Sequence, residues 1–231
     1  MGSFRTAVVA LVFGAAATAA ASTAAHAISS VTVFGLKAPE DVGGFKLNDS
    51  TNFERSKPGD GYGLDYSQPG WKLDVFVYDL KRNAIPADPK SAIVRAEFER
   101  SREDVFLSHP RGLYSQVYLR RNFTVDDPEK RTRFQCAAFR LTRDGAKPQD
   151  GYLCVTAWNN KFIKFRMTTL SDNNTEPTAR QHMAAWIPVL WSGANARAEK
   201  PEAKPAAAAR PQQRRRPPAR RFVCPENYIC R

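Results

Sequence analysis

Three consecutive runs constrain this chain most: Arg133-Phe-Gln-Cys-Ala-Ala-Phe-Arg-Leu-Thr142, Gly151-Tyr-Leu-Cys-Val-Thr-Ala-Trp158 and Lys161-Phe-Ile-Lys-Phe-Arg-Met-Thr168. Each is short and rich in aromatic and branched apolar residues, the composition of a strand that packs on at least one face. The first two are separated by Arg143 to Asp150, and the last two by Asn159-Asn160, residues able to take positive φ in a tight hairpin turn. The spacing predicts a three-stranded antiparallel meander. Folding the first hairpin symmetrically about its loop sets Cys136 opposite Cys154, where neighbouring strands can be bridged by a disulfide.

Upstream, Trp71-Lys-Leu-Asp-Val-Phe-Val-Tyr-Asp-Leu80 alternates Trp71, Leu73, Val75 and Val77 with Lys72 and Asp74 before its second face turns aromatic at Phe76 and Tyr78. That pattern predicts a central strand with one face in the core and the other partly covered. Tyr62 to Ser67 reads as a strand. Gly43 to Leu47 and Asn52 to Arg55 read as two brief strands separated by a turn at Asn48-Asp49-Ser50. Asp88-Pro89 predicts a helix start, with Val94, Phe98 and Val105 facing the core and Arg95, Glu99, Arg102 and Glu103 facing water as far as Leu107. A second helix is expected from Thr175-Glu176-Pro177, with Ala179, Met183, Trp186, Ile187 and Leu190 as its apolar stripe. Pro188 should kink or shorten its last turn, and Gly193 should end it. The expected fold class is α+β: an antiparallel sheet flanked by two main helices, followed by a disordered basic C-terminal tail.

The ends of the chain set its compartment. Residues 1–27 read as a cleavable secretory signal: one positive charge at Arg5, an uncharged apolar run from Thr6 to Ala20, and Ala25-His26-Ala27 as the processing site. The apolar run is shorter than the ~20 residues of a spanning helix, so no transmembrane segment is expected after cleavage. Neither a lipid-anchor cysteine nor a twin-arginine pattern accompanies it. A periplasmic or secreted bacterial protein is the expectation. Residues 28–194 are then a single domain, 195–221 an Ala/Pro/Arg-rich linker, and 222–231 a Cys-closed loop. The mature chain carries a net charge of +11, of which +7 falls in residues 195–231. The basicity therefore belongs mainly to the tail, and the body offers no nucleic-acid-binding signature.

Export places Cys136, Cys154, Cys224 and Cys230 in an oxidising compartment, where an even count favours disulfides. Proximity pairs Cys136 with Cys154 and Cys224 with Cys230. A free, reactive Cys224/Cys230 pair is the alternative. No Cys/His spacing suits zinc, no phosphate loop or cofactor motif is present, and no catalytic residue can be nominated. His109 reads as a loop residue and His182 as a surface residue away from its helix's apolar stripe. Asp79, Asp88, Glu97 and Asp104 are explained as a strand end, a cap and a solvated helix face.

From Phe45 to Trp191 the element order resembles the PsbP/Mog1-like α/β sandwich, an antiparallel sheet covered by helices. The runs Gly61-Tyr-Gly-Leu-Asp-Tyr-Ser67, Asp74-Val-Phe-Val-Tyr-Asp79 and Phe162-Ile-Lys-Phe-Arg-Met-Thr168 also resemble those of uncharacterised secreted proteobacterial proteins. Neither resemblance supplies an active-site pattern. The tail is the functional candidate: Arg214, Arg215, Arg216, Arg220 and Arg221 on a Pro-stiffened backbone offer paired donors to phosphate and carboxylate. The expected function is a non-enzymatic binding protein attached to an anionic envelope component or an acidic protein, with nucleic acid disfavoured, though not excluded, by the compartment. The alternatives are an exported enzyme with a site between sheet and helix, or thiol exchange through the C-terminal Cys pair.

Overall fold

Wherever apolar residues fall at every second position the chain is extended, and these segments assemble into one wide sheet. The computed structural model describes residues 31–172 and 175–192. Their elements are β1 (Thr32–Val33), β2 (Leu36–Lys37), β3 (Asp41–Val42), β4 (Phe45–Asn52), β5 (Tyr62–Gln68), β6 (Trp71–Tyr78), α1 (Ala92–Phe106), β7 (Gln116–Asp126), β8 (Thr132–Thr142), β9 (Gln149–Trp158), β10 (Lys161–Leu170) and α2 (Thr175–Trp191). β1 and β2 form a small hairpin. The other eight strands form an antiparallel sheet in the order β3-β4-β5-β6-β10-β9-β8-β7. The expected α+β architecture of an antiparallel sheet with two helices is present; the basic tail lies outside the described residues.

Both faces of the sheet are covered. Leu73, Val75, Val77, Phe134, Cys136, Cys154, Ile163, Phe165 and Met167 make one buried cluster with Ala179, Met183, Trp186 and Leu190 of α2. Their sequence neighbours Ala137, Phe139, Leu153, Val155, Ala157 and Phe162 point the other way and pack with Val94, Phe98 and Val105 of α1. β9 is consequently buried along nearly its whole length, which explains why its sequence shows no alternation. Each large apolar side chain removed from water contributes about 1.5–3 kcal/mol, so these two clusters dominate the favourable side of folding.

The β8–β9 hairpin pairs Cys136 with Cys154 in register, and the two are joined by a disulfide with Cα atoms 4.1 Å apart. Asn159 and Asn160 take φ of 44° and 59° in the turn before β10, as their side chains permit. Asp150, fully buried at the start of β9, holds α2 to the sheet. It accepts from Arg140 Nε at 2.9 Å and from Thr175 Oγ1 at 2.5 Å. Thr175 in turn accepts from the Tyr152 hydroxyl at 2.6 Å.

Several local expectations are corrected. Asn48-Asp49-Ser50 is not a turn but part of continuous β4, with a register shift between Leu47 and Asp49. The Asn48 amide donates across to Asp65 and Ser67 at 2.9 Å each, so polar turn-forming side chains here serve the strand. Helix α1 begins one turn later than Asp88-Pro89 predicts. Ser91 is the N-cap, its Oγ accepting from Val94 N at 3.3 Å, while Asp88 closes the preceding turn by accepting from Lys90 N at 2.8 Å. Glu97 is buried, not solvated. It accepts from the Tyr78 hydroxyl, from Ser101 Oγ at 3.2 Å and from Arg100 at 2.6 and 2.8 Å. Pro188 does not shorten α2, which runs on to Trp191. The N–H that proline lacks would have bonded the carbonyl of Ala184, an exposed position that water can serve.

His182 also departs from expectation. It is half-buried, its ring edge-on to Phe45 at 4.8 Å and to Trp71 at 5.0 Å. Gln68 Nε2 lies 2.8 Å from its Nε2. An amide N–H can only donate, so the imidazole accepts there and is neutral. Burial holds its pKa below the usual value. The unfolded chain therefore binds more protons just below pH ~6.5, and stability falls as pH falls through that window. Urea midpoints at pH ~7.5 and ~5.5 should show the loss in the wild type and a smaller loss in His182→Gln. An equal loss in both would remove His182 as its source.

Candidate functional site: a cationic cleft on the first helix's face of the sheet

The even-numbered residues of β6 and β10 point toward the α1 face, and their register sets Lys72 beside Thr168, Asp74 beside Arg166 and Phe76 beside Lys164. Helix α1 packs over β7, β8 and β9, and at the Lys72 end of the β6–β10 pair both Lys72 and Arg166 are exposed. A cleft of about 490 Å³ opens there, floored by Lys72, Asp74, Arg166 and Thr168 and walled by Tyr114 and Arg143.

Its charges are fixed by different means. Lys72 bridges Asp65 at 3.0 Å and Asp74 at 3.2 Å. The hydrogen bond to Asp65 raises the pKa of its ammonium, with Asp74 adding to the effect. The Arg143 guanidinium sits 4.8 Å over the Tyr114 ring and donates through Nε to the Leu113 carbonyl at 3.2 Å. Stacking orients it without consuming its charge. Arg166 is exposed, with Asp74 opposite it in the ladder. Three cations thus converge on a cleft whose lining includes one carboxylate, Asp74, and that carboxylate is already shared with Lys72. The Gln149 Oε1 is buried against the cleft without a hydrogen-bond partner. Leu170 in the lining and Leu113 behind Arg143 are both more than half exposed. The arrangement can hold an anionic group and offer apolar contact beside it.

The residues nominated from sequence fall elsewhere. Cys136 and Cys154 are core residues under α2, where their bridge is structural. Cys224, Cys230, Arg214, Arg215, Arg216, Arg220 and Arg221 lie outside the described residues, as do residues 1–27 and the proposed linker. His109 is exposed, with Nδ1 3.1 Å from the Tyr114 carbonyl, so that nitrogen carries a proton. Among the described residues no cluster of His, Cys, Asp or Glu could hold a metal ion, and no helix is long and apolar enough to cross a membrane. The cleft itself was not legible in sequence. Lys72, Arg143 and Arg166 are spread over 95 positions and meet only through the β6–β10 register and the β8–β9 loop.

No protein-family model matches the chain, and no curated protein matches it. Among solved structures it is similar to the solution structure of cyanobacterial PsbP (CyanoP) from Synechocystis sp. PCC 6803. The two are 13% identical with a TM-score of 0.40, over 62% of this chain and 81% of that one. A likeness of that size assigns neither a family nor a function.

Proposed function

We propose that this chain is an exported, non-enzymatic binding protein: a PsbP/Mog1-like α+β domain that attaches to an anionic envelope surface through the cationic cleft and the basic segment Arg214 to Arg221. The observation that carries the reading is the convergence of Lys72, Arg143 and Arg166 on one open cleft with a single, already shared carboxylate. Export is supported by the signal-like residues 1–27 and by a disulfide, which persists in oxidising compartments. A non-enzymatic role is supported by the sheet–helix interfaces, which are filled by Met183, Trp186 and Leu190 under α2 and by Val94, Phe98 and Val105 under α1.

The test is co-sedimentation of residues 28–231 with phosphatidylglycerol vesicles, against phosphatidylcholine vesicles as the neutral control. Retention should appear only on the anionic vesicles and fall as salt rises from about 0.05 to about 0.5 M, where the screening length contracts to a few ångströms. Deleting residues 195–231 should weaken it, and Arg143→Glu with Arg166→Glu should weaken what remains by about tenfold or more, equivalent to ~1.4 kcal/mol. Retention indifferent to salt, to the deletion and to the charge reversals would sink the reading. Capture on immobilised polyglutamate but not on vesicles would replace the membrane by an acidic protein face.

A further inference from the structure

Two residues along β6 and β10 from the cleft, Lys164 lies opposite Phe76 on the same face. Its Nζ is 5.2 Å from the ring centres of both Phe76 and Tyr78. The residue is half-buried, and among the described residues no hydrogen bond or ion pair reaches its ammonium. The nearby carboxylate of Glu97 is already occupied by Tyr78, Ser101 and Arg100. A desolvated cation without a counter-charge is unfavourable, and burial accordingly lowers the pKa of Lys164. Aromatic faces offset only part of that cost.

The ammonium borders a cavity of about 320 Å³ whose walls are Phe53, Phe76, Tyr78 and Leu80, with Arg100 at its rim. That volume is at the small end of ligand sites. The wall is built by a missing side chain. A Cβ on Gly63 of β5 would stand 2.9 Å from Phe53 Cε2, so glycine there lets the Phe53 ring lie across the strand toward Phe76. Asp60, the carboxylate that lines the cavity, is paired with Lys57 at 2.9 Å.

We propose that this cavity binds a small amphipathic monocarboxylate, an aryl or short alkyl chain ending in one carboxylate, with the carboxylate on Lys164 and the chain against Phe53, Phe76 and Leu80. The ligand supplies the counter-charge that the fold withholds, and the aromatic walls cover its apolar body. The site is separate from the anionic-surface reading, because Arg143 and Arg166 do not line it.

Titration calorimetry of residues 28–231 with 3-phenylpropanoate tests the proposal, with 3-phenylpropylamine as a probe of the same body and opposite charge. The carboxylate should bind, and the amine should bind at least about tenfold more weakly, as expected when a charge-assisted hydrogen bond is lost. Lys164→Met should cost a similar factor, whereas Lys164→Arg should keep the affinity within about threefold. Phe53→Ala, a change outside the strands, should also weaken binding and stands in if Lys164→Met does not fold. Arg143→Glu alone, at a residue that neither lines the cavity nor faces Lys164, should leave binding nearly intact. Affinity should fall as the pH rises and Lys164 loses its proton, and the fall should begin below the ordinary lysine range because burial lowers its pKa. The other charged groups facing it are Glu97, Arg100 and Asp104 from α1 and Arg166 from β10; Lys57 and Asp60 line the same cavity. Equal binding of the amine and the carboxylate, an unaffected Lys164→Met, or no heat with about 5 mM carboxylate, a Kd too weak for a specific site, would each overturn the proposal.

Discussion

Asp150→Ala should destabilise the protein by about 3–5 kcal/mol, the range for removing one partner of a buried ion pair. Asp150 is 0% exposed and joins three elements: Arg140 on β8, Thr175 at the start of α2 and, at 3.6 Å, Arg120 on β7. Truncation strands the Thr175 hydroxyl and the Tyr152 hydroxyl behind it, both on buried residues. It also leaves the partly covered Arg140 without its carboxylate. Asp150→Asn keeps the shape and an acceptor for Thr175 but loses the charge. Because Arg140 retains contact with water, that variant should cost only about 1–2 kcal/mol. Urea unfolding of the two variants measures both figures. A loss below about 1 kcal/mol in Asp150→Ala would mean that α2 is anchored by its apolar stripe alone.

The second large effect belongs to the disulfide. Cys136→Ala with Cys154→Ala should cost about 3 kcal/mol, because a cross-link over 18 residues removes loop-closure entropy from the unfolded chain. For a domain of this size that is a fall in Tm of roughly 6–12 °C. Both sulfurs are 0% exposed in the core under α2, so the lost packing adds to the loss. Refolding the wild type under reducing conditions should reproduce most of the fall, and the double variant should be indifferent to reductant. If the variant melts with the wild type, the β8–β9 register is secured by its ladder and packing without help from the bridge.

The meander was readable because local signals agreed there: Asn159-Asn160 could take the positive φ of a tight turn, and a first hairpin folded symmetrically about its loop set Cys136 opposite Cys154. Errors arose where a residue's role depends on a distant partner. Glu97 falls on the buried stripe of α1 with Val94, Phe98, Ser101 and Val105, but its charge reads as solvated because nothing local says that Tyr78 stands over it. Asn48 has a turn-former's side chain, and only β5 beside it makes it a strand residue. His182 sits off the buried stripe of α2, yet Phe45 and Trp71 come from strands far away in sequence. The cleft and the Lys164 cavity are hidden for the same reason. Both are products of which strand lies beside which, while the basic run of the tail was visible precisely because it is contiguous.

Strand β7 is the outer strand on one side of the sheet, and its ladder to β8 slips between Leu119 and Arg121 and again between Val125 and Asp126. The opposite margin, β3, is two residues long. An eleven-residue border would ordinarily be a template on which a second chain could crystallise strand by strand, the first step towards fibrils. Here a newcomer would have to follow a kinked rail, past Arg121 already held by Glu176 at 2.6 Å. Among the described residues the sheet is eight strands wide, and both of its borders, one kinked and one two residues long, are poor templates for knitting crowded molecules together.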